Sequence, residues 1–325
     1  IDIDYIYLPL AGIGLNLFVF LLSPLILKLT KLNQNPKKAR TLTMLLSSFA
    51  PGISCFPIVE EFLGSEYLIK ASLIDFGNKL FVLIFLLGFS FQIHYLTQDI
   101  KDKKNKISPK TILKSVFTEP INLVLLISIG ILFLGYTIDQ IPMVFIEFVT
   151  RMKETLTPLV LIFIGLSIIF AKEALKEIIP VLFIRAGICL FFTISAVNFF
   201  GMSSGDDILF YLSLSLSSVS FWPFAHMTLI DEVEKDAKIK NRTFDIGFGL
   251  NFLAYSLPFS TILILSLISQ RGNVLNPTSI YTLSLILTVL GMIMLAVNTQ
   301  IEKYKKLNPS TPKKWSLTYF FQSLL

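Results

Sequence analysis

Apolar stretches of about 20 residues recur along the whole chain, and they limit the fold more than any other feature of the sequence. Each is long enough to cross a hydrocarbon core about 30 Å thick as an α-helix that rises about 1.5 Å per residue. Only 15% of the residues are charged, compared with about 25% in soluble domains. The sequence therefore predicts an all-α membrane protein with several spans.

We place nine spans on these stretches, with ends defined to within several residues. They cover residues 7–27, 41–63, 71–96, 119–138, 156–172, 178–200, 208–230, 246–269 and 278–299. The segment 142–154 mixes apolar and charged residues and is expected to lie in the outer interface. The chain then divides into a first half, a cytoplasmic linker, a second half, and an extra span with a basic tail: 1–96, 97–118, 119–270 and 271–325.

The distribution of Lys and Arg predicts the orientation of the spans. Of the 28 basic residues, 22 lie in alternate connections and the C-terminal tail, four lie in the remaining connections, and Lys79 and Arg185 lie within spans. Basic residues accumulate on the cytoplasmic side of membrane proteins. We therefore expect a multi-pass protein of the plasma (inner) membrane, with the central linker and the C-terminus in the cytoplasm. The formal charge of +6 is explained in this way without nucleic acid.

Two of the spans carry prolines at matching positions. The second span contains Pro51, Gly52 and Pro57, and the seventh contains Pro223. Proline removes a backbone donor and clashes with the preceding turn, so neither span is expected to be a continuous helix. Because these spans cross in opposite directions, the pattern is typical of an inverted-repeat transporter with its site at the bilayer midplane. We expect Pro57 and Pro223 to approach each other there.

Each broken span is followed by a span with a similar phrase, IDFGNKLF in the first half and FDIGFGLN in the second. Asn78 and Asn251 of these phrases are candidates to bind a substrate carboxylate, or to bond neighbouring helices. Asp75 and Lys79 lie four residues apart on one helix face. They are candidates for an ion or proton coupling site, with a structural ion pair as the alternative.

The helix breaks themselves would expose N–H groups and a helix dipole that favour an anion, although a structural kink is the plain alternative. His226, one turn after Pro223, is a further candidate for the substrate site. A lone histidine is more often packed and hydrogen-bonded, which is its alternative interpretation. Arg185 inside the sixth span either snorkels to the interface or attracts anions.

Four segments follow one another along the chain: ISCFPIVEEFLGSEYLIKASLIDFGN, TEPINLVLLISIGILFLG, TLTPLVLIFIGLSI and VSFWPFAHMTLI. In this order they resemble the first crossover with the helix after it, the sixth helix, the seventh helix and the second crossover of the auxin efflux carrier family. These are the PIN-like permeases of the bile-acid/arginine/auxin transporter superfamily. The resemblance covers residues 7–270 and implies an inverted-repeat carrier with two broken crossover helices.

The chain also departs from this family. Ala50, Pro51 and Cys55 stand where family members usually carry an asparagine or a glycine-rich phrase, which changes the expected substrate contacts. The two family helices that should precede residue 7 are missing, and the span 278–299 is additional. Both cysteines, Cys55 and Cys189, fall in apolar stretches and are expected to act as small hydrophobic residues.

The leading interpretation is a secondary transporter of small organic anions that works by alternating access and needs no cofactor or metal. The sequence has no HExxH, CxxC, phosphate-loop or nucleophile-elbow motif, so we do not expect an enzyme. The alternative is a non-transporting membrane receptor or sensor that keeps a carrier-like fold. The expected partners are the organic anion and membrane lipid, and a homodimer is left open.

Overall fold

The structure, a computed structural model, describes residues 7–98, 127, 130–131, 142–167, 172–202, 204–271 and 276–307. Every regular element within these ranges is helical, which confirms the all-α prediction. The first six helices are α1 (Tyr7–Leu29), α2 (Pro36–Leu46), α3 (Pro51–Ser54), α4 (Phe56–Leu63), α5 (Ser65–Leu80) and α6 (Leu87–Thr97). A short 3-10 helix, Leu32–Gln34, precedes α2, and a π-helical segment, Phe81–Leu86, joins α5 to α6.

Six further helices follow in the C-terminal part of the described chain. They are α7 (Met143–Ser167), α8 (Lys172–Phe199), α9 (Gly205–Ser215), α10 (Phe221–Asp236), α11 (Ile246–Ile268) and α12 (Pro277–Leu307). Local sequence explains several of the starts. The side chain of Asn35 accepts hydrogen bonds from the first turn of α2, and those of Asp245 and Ser220 do the same for α11 and α10.

Five helices in the described ranges are long and apolar enough to cross a membrane. They are Tyr7–Leu29, Ser65–Thr97, Leu175–Phe199, Ile246–Ile268 and Pro277–Ile301, and they correspond to five of the spans expected from the sequence. The proposed spans 41–63 and 208–230 are each interrupted, as their prolines predicted. The proposed span 119–138 lies almost entirely outside the described residues.

Residues 142–154 and the proposed span 156–172 share one helix. Within the described residues, α7 runs without interruption from Met143 to Ser167, and the interfacial location of residues 142–154 stays a prediction. The physical reason is that no glycine or proline interrupts residues 143–157, so the charged side chains do not end the helix.

The buried apolar side chains form two clusters that meet at the interrupted helices. One cluster contains Leu46, Phe49 and Val219 together with residues of α1, α6, α10 and α11. The other contains Cys55 and Leu216 together with residues of α4, α8 and α9. Each interrupted helix therefore passes from one apolar cluster to the other at its interruption. This arrangement places the two interruptions in the interior of the protein.

Glycines allow two helix pairs to approach at backbone distance. A Cβ at Gly77 of α5 would lie 1.9 Å from the carbonyl oxygen of Pro9 in α1, and one at Gly12 would lie 2.1 Å from that of Ile74. A Cβ at Gly187 of α8 would lie 2.6 Å from the carbonyl oxygen of Ser284 in α12. Contacts through small residues are the usual means of close helix packing in membranes. Gly77 of the IDFGNKLF phrase therefore has a packing role.

Replacing Gly77 by alanine is expected to destabilise the purified protein by about 1–3 kcal/mol, the usual cost of overpacking. The reason is that the new methyl group would push α1 away from α5 at Pro9. Gly88→Ala in the same long helical segment is the matched control, because a Cβ there meets nothing within 4 Å. Thermal unfolding in detergent measures both variants. Equal midpoints would contradict the backbone contact.

Candidate functional site

Both proline-containing spans are interrupted, and we call the interruptions the first break (residues 47–50) and the second break (residues 216–220). The first lies between α2 and α3, and the second lies between α9 and α10. Pro51 is the first residue of α3, and Pro223 is the third residue of α10. A proline fits the first turn of a helix because its missing N–H has no intrahelical partner there. Both prolines therefore lie where a helix restarts.

The two breaks are hydrogen-bonded to each other. The N–H of Ala50 donates to the carbonyl oxygen of Ser218 at 2.8 Å, and the N–H of Ser218 donates to Oγ of Ser54 at 3.0 Å. The N–H of Ser220 donates to Oγ of Ser48 at 3.2 Å. Backbone groups that lose their helical partners are in this way paired across the contact, as buried backbone requires.

Arg185 of α8 connects the two breaks, and only 3% of its surface is exposed. Its Nε donates to the carbonyl oxygen of Leu46 at 3.2 Å, and its Nη2 donates to that of Ser48 at 3.0 Å. On the other side, Nη1 donates to the carbonyl oxygen of Ser217 at 2.9 Å. The guanidinium also lies 4.3 Å from the ring centroid of Phe49. The rigid fork of donors thus holds the end of α2 and both breaks together.

This arginine has no counter-charge in the part of the chain that the structure describes. None of the ion pairs formed by the described residues includes Arg185. Of the two interpretations made from the sequence, snorkelling to the interface is wrong, because the side chain is buried against the breaks. Because a guanidinium is effectively always charged, neutral carbonyl partners leave its positive charge without compensation.

Asn78 satisfies the backbone of the first break. Its Nδ2 donates to the carbonyl oxygen of Phe49 at 2.7 Å, and its Oδ1 accepts from the N–H of the same residue at 3.3 Å. Nδ2 also donates to Oδ1 of Asp75 at 2.9 Å, and Oδ2 of that carboxylate pairs with Lys79 at 2.9 Å. Asn78, Asp75 and Lys79 therefore form one connected chain of contacts that begins at the first break. Asp75 is buried in it, whereas Lys79 is partly exposed.

The backbone of the second break is bonded by Ser256, and not by Asn251. Asn251 is half-buried on α11 and forms no hydrogen bond with the described residues. Instead, Ser256 lies near the second break, and its Oγ accepts from the N–H of Val219 at 3.4 Å. Ser256 thus contacts the backbone of the second break, as Asn78 contacts that of the first. The sequence does not single it out, because serines that bond their own helix are common in such segments. Its hydroxyl does also donate to the carbonyl of Leu253.

The remaining predicted residues of the first break separate into two groups. Pro51 is buried beside the contact between the breaks, as is Pro223 beyond the second break. Gly52 and Pro57 are exposed, and Pro57 belongs to the next helix, α4. The breaks therefore meet through the residues before Pro51 and Pro223, and the predicted approach of Pro57 to Pro223 stays a prediction.

Several buried polar groups near the second break have no hydrogen-bond partner among the described residues. They are both ring nitrogens of His226 and Oη of Tyr255. His226 is thus packed in the interior, as its alternative interpretation stated, but no described residue forms the hydrogen bond expected with that interpretation. Buried polar groups are nearly always hydrogen-bonded, so such groups are ready to receive a water or a ligand.

A second buried polar network surrounds Glu234 of α10, which has no exposed surface. Its Oε1 accepts from Nε2 of Gln98 at 3.1 Å and lies 2.8 Å from Nδ1 of His94. Its Oε2 accepts from the N–H of Thr243 at 2.9 Å, and the hydroxyl of the same threonine donates to Oε1. Nε of Arg40 in α2 donates to the carbonyl oxygen of Thr243. Glu234 therefore links α6 and α10 to the connection before α11.

The helices and their lengths define the class of this chain as a helical integral membrane protein. No known family model, curated protein or solved structure matches it. The resemblance to the auxin efflux carriers therefore rests on the four segments quoted above and stays a prediction. Function has to be argued from the site itself.

Proposed function

We propose that this chain is a secondary transporter of small organic anions, with its substrate site where the two breaks meet. The observation that carries the proposal is Arg185, a buried cation that contacts both breaks and has no carboxylate partner in the described residues. Burying an unpaired charge is costly, and ionisable groups inside membrane proteins usually serve a substrate or ion pathway. An anionic substrate would supply the missing counter-charge.

Neighbouring groups add the contacts that a carboxylate needs. The unpartnered nitrogens of His226 and the hydroxyl of Tyr255 provide donors and acceptors near the second break. The N-terminus of α10, which begins at Phe221 directly after that break, adds a positive dipole end. Pro51, Asn78 and Pro223 shape the site by fixing the breaks, and Asn251 completes its border.

The proposed mechanism is alternating access in an inverted repeat with nine spans and two crossover helices, as in the auxin efflux carrier family. Each interrupted helix belongs to one half of the chain, and the cation distribution predicts opposite orientations for the two halves. In this proposal the central linker and the C-terminus are cytoplasmic. The Asp75–Lys79 pair is the coupling site, since Asp75 also touches Asn78 and so reaches the first break through one side chain.

A receptor or sensor with the same fold is the second candidate. It is favoured by the direct hydrogen bonds that hold the breaks together. The Ala50–Ser218 and Arg185 contacts keep the two breaks against each other. A carrier has to break some of these contacts in each transport cycle, whereas a sensor needs only to bind its ligand where the two breaks are in contact. Binding without uptake is therefore the signature of this alternative.

The test is an uptake assay with the purified protein in liposomes and a panel of radiolabelled weak carboxylic acids. We expect saturable uptake of at least one acid above that of protein-free liposomes. The neutral amide of the same acid should enter at least about tenfold more slowly, because it loses a charge-assisted contact worth about 1.4 kcal/mol or more. Saturable binding without uptake would replace the carrier by the sensor. Neither binding nor uptake of any anion would overturn the proposal.

A further inference from the structure

A polar cavity of about 500 Å³ is lined by residues that belong to neither break. Its walls come from the connection between α1 and α2, the start of α2, the first turns of α8 and residues 295–301 of α12. Its volume falls within the range of about 300–1,000 Å³ found for small-ligand sites. The polar side chains that line it include Lys31, Asn35, Lys38, Lys176, Glu177 and Asn298.

The cavity carries an excess of positive charge. Three lysines face one glutamate in its lining, which leaves two positive charges uncompensated. Lys38 is the lysine that pairs with Glu177. Lys31 and Lys176 are exposed and form no ion pair with a described residue. Two ammonium groups are therefore free to bind an anion in the cavity.

The walls of this cavity are held in place before any ligand arrives. Oδ1 of Asn35 accepts from the N–H groups of Lys37 and Lys38 at 3.2 and 3.3 Å, which fixes the start of α2. Nδ2 of Asn298 donates to the carbonyl oxygen of Lys176 at 2.8 Å, which ties α12 to α8. A preformed site of this kind reduces the ordering cost of binding.

Exposed apolar side chains of α1 end next to the cavity lining. Leu25 and Leu29 are one helical turn apart on α1 and are 50% and 45% exposed, and the lining residues Thr30 and Lys31 follow them along the chain. Leu32, Leu295 and Ile301 add apolar residues to the cavity lining itself. Basic pockets that lie between membrane helices on the cytoplasmic side are typical sites for anionic lipid headgroups. All three lysines belong to the connections in which basic residues accumulate.

We propose that this cavity binds the phosphomonoester headgroup of an anionic lipid of the phosphatidate type. The phosphate lies between Lys31, Lys38 and Lys176, and the acyl chains extend along Leu25 and Leu29. A phosphomonoester carries between about 1.5 and 2 negative charges at pH 7, which matches the excess of two positive charges. A zwitterionic headgroup would bring its own cation and lose this match. The site is independent of transport and of the contact between the breaks.

The experiment measures equilibrium binding of dioctanoyl phosphatidate to the full chain in neutral detergent. The double variant Lys31→Gln/Lys176→Gln is expected to bind it about 25-fold more weakly, since each lysine beside an anionic lipid contributes about fivefold. Both side chains are exposed, so the variant is expected to fold normally. The matched control is Lys238→Gln/Lys240→Gln, which removes the same charge from exposed positions outside the cavity lining. The control should bind as the wild type does.

Two further probes distinguish the lipid from other sources of the same chemistry. Dioctanoyl phosphatidylcholine should bind at least tenfold more weakly than phosphatidate, because its headgroup has no net charge. Inorganic phosphate should also bind far more weakly, because it lacks the acyl chains. Equal binding of phosphatidylcholine, equal binding of inorganic phosphate, or an equal loss in the two double variants would each overturn the proposal.

Discussion

Replacing Arg185 by leucine is expected to abolish uptake of organic anions and to lower the stability of the purified protein. The substitution leaves the carbonyl oxygens of Leu46, Ser48 and Ser217 without their donor. A buried polar group that loses its partner costs about 1–3 kcal/mol, so three such groups cost at least about 3 kcal/mol. The counter-charge for the substrate is lost at the same time. Uptake and thermal unfolding measure the two effects separately.

The Arg185→Lys variant separates the role of the positive charge in anion binding from the role of the hydrogen bonds that hold the breaks. Lysine keeps the positive charge but lacks the planar fork that reaches both breaks. We expect this variant to fold with reduced stability and to retain anion-dependent thermal stabilisation, with a raised KM for uptake. Arg151→Leu, at an exposed position of α7, is the control for removal of a cation. If Arg185→Leu transported anions as the wild type does, Arg185 would have only an architectural role, and the proposed site would be wrong.

The positions of the breaks show how far sequence reasoning reaches. Proline chemistry predicted two interrupted helices, and both interruptions are present. It placed them at the prolines, whereas the chain is non-helical at residues 47–50 and 216–220, just before Pro51 and Pro223 begin the next helices. The difference follows from proline itself, which is tolerated in a first helical turn and therefore marks a restart. Proline chemistry thus predicted that two helices are interrupted, but it did not predict which residues are non-helical.

The side chains that bond the backbone of the breaks could not be predicted from the sequence, for a different reason. Arg185 is separated from Leu46 and Ser48 by more than 130 residues, and its role depends on carbonyl groups that every residue possesses. No side-chain pattern marks those carbonyls as free. Asn78 was found because its phrase stood out, whereas Ser256 stands in a run of ordinary helix residues. Contacts between a side chain and distant backbone are decided only by the assembled fold.

Replacing Glu234 by alanine is expected to destabilise the protein by about 3–5 kcal/mol, the usual cost of removing one partner from a buried charged network. The carboxylate of Glu234, which has no exposed surface, accepts hydrogen bonds from Gln98, the residue after α6, and from the N–H of Thr243. His94 would lose the oxygen that lies 2.8 Å from its Nδ1. Three groups from two separate parts of the chain would then be buried without their common partner.

Glu232→Ala is the matched control for this substitution. It removes the same residue type from the same helix two positions earlier, where the side chain is exposed. Surface substitutions of this kind usually change stability by no more than about 0.5 kcal/mol. Glu234→Gln should fall between the two variants, because the amide keeps one oxygen acceptor but presents an N–H₂ group to donors on the other side. Thermal unfolding of the three variants in detergent measures the order. If Glu234→Ala unfolded at the same temperature as Glu232→Ala, the Glu234 network would not hold α6 to α10.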